Sequence, residues 1–118
     1  MSQSQSSPDR RRGILGELHV VPPEALVVFG GEIDLDNLDQ LRSILALVVD
    51  IDVRTVTVDL TRVGFTSLGA LHALVDAAAD LERHGGRLTL LGTTPLQDRV
   101  LALLDAPAAL VIAPDPVG

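Results

Sequence analysis

Residues Thr55–Leu91 read TVTVDLTRVGFTSLGALHALVDAAADLERHGGRLTLL, and this stretch decides the fold. It opens with Thr55–Leu60, short and rich in β-branched residues, the mark of a buried strand. A polar loop is expected next. From about Ser67 to His84 the apolar residues change to helical spacing: Leu68, Leu71, Leu74, Val75, Ala78 and Leu81. Asp76, Asp80, Glu82 and Arg83 fill most of the other face. Gly85-Gly86 is a strong helix stop, and Arg87–Leu91 is a second strand. A strand, a helix and a strand in this order make a right-handed crossover between parallel strands.

Upstream, Leu18–Val21 is a short strand closed by Pro22-Pro23, and Ala25–Phe29 is another closed by Gly30-Gly31. The short turn between them predicts an antiparallel hairpin. Asp34–Asn37 offers capping side chains. Leu38, Leu41, Leu45 and Val48 follow at helical spacing with Ile44 beside them, and Asp50–Asp52 ends that helix. Downstream, Thr94 caps a third helix with Pro95 at its first position. Its inward residues are expected to be Leu96, Val100, Leu103 and Leu104. Leu110–Ile112 is a last short strand. The order is β-β-α-β-α-β-α-β, an α/β domain with a four- to five-stranded, mixed and mostly parallel sheet. The apolar strands predict helices covering much of that sheet. The domain spans residues 14–112. Residues 1–13, with Arg10–Arg12, read as a disordered tail, and 113–118, with two prolines, as a loose one.

The chain of 118 residues suits one domain. Only Phe29 and Phe65 are aromatic, so the core must come from Leu, Val, Ile and Ala. A net charge of −7 repels phosphate backbones and anionic lipid, so neither nucleic acid nor bare membrane is an expected partner. It suits docking to a basic patch on another protein. Without Cys there is no disulfide and no thiolate chemistry. The apolar runs fall short of the roughly 18 residues of a membrane span, and no apolar segment follows Arg10–Arg12 as a signal peptide requires. A cytoplasmic location is expected.

No catalytic constellation emerges. The histidines are His19, His72 and His84, without HExxH spacing, and there is no Gly-x-Ser-x-Gly elbow. His72 and Asp76 read as a surface pair. His84 favours the negative end of its helix. Gly30-Gly31 is followed by Glu32 and Gly85-Gly86 ends a helix, so neither is a phosphate loop. Glu32–Asp36 alternates apolar and acidic residues and reads as helix capping rather than a metal loop. No enzyme, metal site or cofactor is expected.

One segment remains, Asp59–Leu71 (DLTRVGFTSLGAL). Thr66 and Ser67 place hydroxyls at a helix start, where free N–H groups and the dipole favour negative charge. Ser67 either merely caps the helix, the plainer reading of the spacing, or carries a phosphate that changes the surface a partner sees.

These residues resemble a STAS domain of the anti-sigma factor antagonist type. The family shows a Gly-Glu-Leu/Ile-Asp turn, here Gly31–Asp34, and a Val-x-Leu-Asp-Leu-Ser strand, here Val56–Thr61. A Val-x-Phe-x-Asp-Ser-Ser/Thr-Gly-Leu segment corresponds to Val63–Leu71, and Gly-Gly-x-Leu-x-Leu to Gly85–Leu90. In this register the family's Asp falls on Ser67, its phosphorylated Ser on Leu68 and its next hydroxyl on Gly69. Leucine cannot be phosphorylated. The resemblance implies a module that binds an anti-sigma factor, a kinase of the histidine-kinase-like ATPase type, and so frees a sigma factor for transcription. It implies a partner surface at Asp34, Thr61, Phe65, Thr66, Ser67, Leu68, Gly69 and His72, with Ser67 and Thr66 as candidate phosphorylation sites. Such domains also serve as partner subunits of ABC-type lipid-transport ATPases and as stress-signalling scaffolds, and these remain the alternative. Some bind nucleotides, though this chain has no phosphate loop for it.

Overall fold

The computed structural model describes residues 15–51 and 53–113. Both expected tails lie outside the described residues, apart from Ala113, whose N–H donates to the Leu90 carbonyl at 2.8 Å.

The hairpin strands are β1 (Leu15–Val21) and β2 (Glu24–Ile33). A short 3-10 turn, Leu35–Asn37, leads into α1 (Leu38–Asp50). Then come β3 (Thr55–Thr66), α2 (Leu68–Arg83), β4 (Arg87–Leu91), α3 (Pro95–Leu103) and β5 (Leu110–Ile112). The five strands lie in sequence order in one sheet. β1 is antiparallel to β2, and the other neighbours are parallel. The expected element order and mixed sheet are therefore present, with five strands.

Strand side chains alternate between faces. Ala25, Val27 and Phe29 of β2, Val56, Val58 and Leu60 of β3, and Leu88 and Leu90 of β4 are buried. They form one cluster with Leu41, Leu45 and Val48 of α1, Leu71, Leu74, Ala77 and Leu81 of α2, and Leu101 of α3. The three helices thus share one face of the sheet. The other face carries Leu26, Val28, Thr57, Thr89 and Val111, exposed or half-buried. Helix cover is accordingly one-sided, narrower than the apolar strands suggested.

Two strands run further than their sequences indicate. β2 does not stop at Gly30-Gly31, and the polar loop expected after Leu60 is strand as far as Thr66. The two extensions pair with each other, Gly30 with Arg62 and Ile33 with Thr66, across register shifts. Gly31 has φ +92° at one of these shifts, a conformation open to glycine. Gly86 is needed for a different reason: a Cβ there would lie 2.6 Å from the Arg54 carbonyl oxygen.

The third helix is turned from its expected orientation. Leu96 and Leu103 were expected inward, but they are 70% and 85% exposed, and Leu101 is the buried residue. Val100 and Leu104 are half-buried as expected. In α2, Leu68 was assigned to the apolar face and is 56% exposed, while Ala70, Ala73 and Ala77 are buried.

Candidate functional site

The corner where β3 gives way to α2 is built from two chain crossings. Thr66, the last residue of β3, pairs with Ile33 at the end of β2. The next residue, Ser67, donates its N–H to the Ile33 carbonyl at 2.8 Å. Asp34 follows Ile33 directly, so the starts of α1 and α2 meet here.

The 3-10 turn leading into α1 and the start of α2 are each capped by a side chain, while Asn37, the residue before α1 itself, makes no side-chain capping bond to that helix. Asp34 Oδ1 accepts from the N–H of Asp36 at 3.0 Å and of Asn37 at 3.3 Å. Asn37 answers with its Oδ1, which accepts from Asp34 N–H at 3.0 Å, and its Nδ2 donates to the Glu32 carbonyl at 2.6 Å. The expected capping role of this acidic stretch is present. At α2, Ser67 is extended, with φ −72° and ψ 162°, and its Oγ accepts from Ala70 N–H at 3.2 Å. The first turn of α2 holds no acidic residue, whereas those of α1 and α3 hold Asp39 and Asp98. The first turn of α2 thus adds no complementary charge of its own to its positive end.

Leu68 is the first residue of α2 and projects into solvent. His72 stands one turn further along, also exposed. Gly69, Thr66 and Ser67 are half-buried beside them. The side chain of Phe65 lies outside the described residues. Thr61 does not join this group. It lies five residues back along β3, about 16 Å of strand, against Gly92, where a Cβ would fall 2.8 Å from Thr61 N. Its hydroxyl donates to Asp59 Oδ1 at 2.6 Å. Seven of the eight expected surface residues have described side-chain positions, and six of those seven gather at the corner.

Three further polar groups have structural partners. Asp76 pairs with Arg42 of α1 at 3.7 Å rather than with His72. His84 Nδ1 lies 2.8 Å from the Asp80 carbonyl oxygen in the last turn of α2. Thr93 donates to Asp98 at 2.5 Å at the start of α3. Among the described residues no group of three or more His, Cys, Asp or Glu is placed to hold a metal ion. None of their helices is long and apolar enough to cross a membrane. What the corner offers chemically is an apolar knob, a capped helix start and two hydroxyls. The exposed leucines of α3 have no counterpart in the sequence reading, because they fit an inward stripe equally well.

A family model described as "Mlab, STAS domain" matches residues 22–111. No curated protein matches the chain significantly. Among solved structures, the anti-sigma factor antagonist SpoIIAA in its unphosphorylated form is similar at 18% identity and a TM-score of 0.70, over 87% of this chain and 91% of that one. An anti-sigma factor antagonist from Mycobacterium paratuberculosis is similar at 22% identity and a TM-score of 0.71, over 96% and 93%. The murine Slc26a9 anion transporter contains a similar domain, at 14% identity and a TM-score of 0.62, over 81% of this chain and 17% of the transporter. At these identities the likeness is one of fold.

Proposed function

The chain belongs to the STAS domain family, and on that premise we propose that it is a non-catalytic regulatory module that docks a protein partner through the start of α2. The partner in this reading is an anti-sigma factor of the histidine-kinase-like ATPase type, held so that its sigma factor is free, in the cytoplasm. The observation that carries the reading is Leu68: an apolar side chain, 56% exposed, on the first turn of a capped helix. An exposed apolar group at the position where the family places its phosphoserine supports docking without that switch. The surface comprises Asp34, Thr66, Ser67, Leu68, Gly69 and His72. Phe65 completes it as the resemblance implies, and Thr61, which the resemblance also implies, lies apart from it along β3.

The test is calorimetric titration of the cognate anti-sigma kinase with and without ATP, followed by intact-mass measurement. The expected result is binding that survives ATP and weakens at least tenfold on Leu68→Lys. Absence of binding would overturn the reading. So would a phosphate added on Ser67 or Thr66 with loss of the complex, which would make the corner a displaced switch.

Leu68 equally favours a second reading, a non-switching partner subunit of an ABC-type lipid-transport ATPase or a stress-signalling scaffold. Co-purification with such an ATPase, and no affinity for the kinase, would select it.

A further inference from the structure

β1 is an edge of the sheet. It pairs with β2 on one side, and among the described residues no strand lies on its other side. The direction of its backbone groups follows from the pairing. The Pro23 carbonyl accepts from Thr55 N–H at 3.2 Å, so it points to β3. Successive residues of a strand turn their N–H and C=O groups to opposite edges, so those of Glu24 point to β1 and meet Val21. Alternation along β1 then turns the N–H and C=O of Gly16, Leu18 and Val20 to the free edge.

Exposed edges are commonly blunted by shortness, Lys, Pro or a bulge. β5, the other edge, is three residues long. β1 is seven residues long, LGELHVV, without Lys or Pro, and pairs with β2 without a register shift. The apolar surface beside it is open as well. Val20 and Val21 are 38% and 76% exposed. Ile44 of α1 reaches to 2.8 Å from where a Cβ on Gly16 would stand, so this side of α1 borders the strand. Leu47, three residues later on the same side, is 55% exposed.

The strand is its own complement. Glu17 and His19 flank Leu18 and stand opposite Val28 and Leu26, on the sheet face away from the helices. Antiparallel pairing with a second β1 about Leu18 overlaps all seven residues. Leu18 meets Leu18, Gly16 meets Val20, and Glu17 meets His19 in both halves. Leu18 is an outward residue, so Glu17 and His19 fall in the non-hydrogen-bonded pairs, where side chains are closest. The adjacent registers that keep the hydrogen-bond pattern set Glu17 opposite Glu17 or His19 opposite His19, and like charges directly opposite are destabilising. The other charged groups nearby, Glu24 of β2 and Asp59 and Arg62 of β3, stand one or two strands back from the free edge. On the helix side, Val20 of the second copy would lie next to Gly16 and Ile44.

We propose that β1 joins a second copy of this chain through its free edge, antiparallel about Leu18, in a two-fold dimer with one continuous sheet of ten strands, five from each copy. The inference goes beyond the docking reading and does not rest on it. The two-fold axis reverses strand direction, so the two copies of the α2 start stand at opposite ends of the shared sheet.

The test is sedimentation equilibrium of the full-length chain from micromolar to millimolar concentration, with amide hydrogen exchange at both ends of that range. The expected result is a mass that rises with concentration toward twice that of one chain. Exchange at Gly16, Leu18 and Val20 should slow only where the dimer is populated. His19→Glu sets Glu opposite Glu17 and should weaken the dimer at least tenfold, with the monomer's thermal melt little changed because His19 is exposed. Adding Glu17→His should restore the dimer, since the exchanged residues face each other again. A single mass at all concentrations would overturn the proposal. So would a dimer indifferent to His19→Glu, a dimer that the double variant fails to restore, or protection confined to other amides. Protection of the three amides that is equal at all concentrations would assign the edge to the chain's own residues 1–14. Protection only on addition of the anti-sigma kinase would assign it to that protein. Either result overturns the proposal.

Discussion

The 3-10 turn leading into α1 and the start of α2 meet where Ser67 donates its N–H to the Ile33 carbonyl, and they are built in opposite ways. At the 3-10 turn, Asp34 and Asn37 satisfy one another's backbone groups, and Asn37 reaches back to the Glu32 carbonyl. Asn37 is only 6% exposed, and the turn is closed on itself. At α2, Ser67 makes one capping bond, no acid complements the dipole, and a leucine follows pointing at water. The first arrangement spends its polar groups on local stability. The second leaves an apolar group facing outward on a first turn without an acid, and such local departures from folding rules concentrate at working surfaces.

Four changes would break or sharpen this contrast. Asn37→Ala should have the largest effect, because it strands the Glu32 carbonyl and the Asp34 N–H near the protein interior. A loss of about 2–3 kcal/mol is expected in urea unfolding. Leu68→Lys should weaken the partner complex at least tenfold, roughly 1.4 kcal/mol, measured by calorimetry. Ser67→Ala removes a single cap and should cost about 1 kcal/mol of stability in the same unfolding assay. Leu68→Ala should alter stability by less than about 0.5 kcal/mol, since the side chain is mostly solvated. If Leu68→Ala proved as costly as Asn37→Ala, the leucine would be a structural residue and the contrast would collapse.

Much of this was readable in advance, for identifiable reasons. The β-α-β unit from Thr55 to Leu91 announced itself because strand, helix and glycine stop each obey a strong local rule. Asp34 and Ser67 were legible as caps for the same reason. The extension of β3 through Gly64 and Thr66 was not, because its partner is the Gly30–Ile33 segment of β2, some thirty residues away. Pairing across a bulge overrides the turn character of glycine and polar residues there. The facing of α3 was illegible because its nine residues are apolar on several sides. Leu96, Val100 and Leu103 form as good a stripe as Leu101 and Leu104, and only packing against the sheet decides between them. Leu68 misled similarly: it sits three residues before Leu71, in register with the core stripe, yet at the helix start it lies past the edge of the core. Thr61 shares the motif but not the corner, since sequence proximity says little about position along a strand that does not bend back.

β3 has neighbours on both sides only as far as Asp59, which pairs with Leu91 of β4. From Leu60 onward it is held by β2 alone. With β1 pairing β2 as far as Gly30, the docking corner stands where the sheet narrows to two strands, β2 and β3, from Gly31 and Val63 to Ile33 and Thr66. Because Ile33 at the tip of that two-stranded part is buried in the core cluster, as is Leu71 one turn after Leu68, a load applied at Leu68 passes into the packed core, and the corner presents its leucine from a fixed platform.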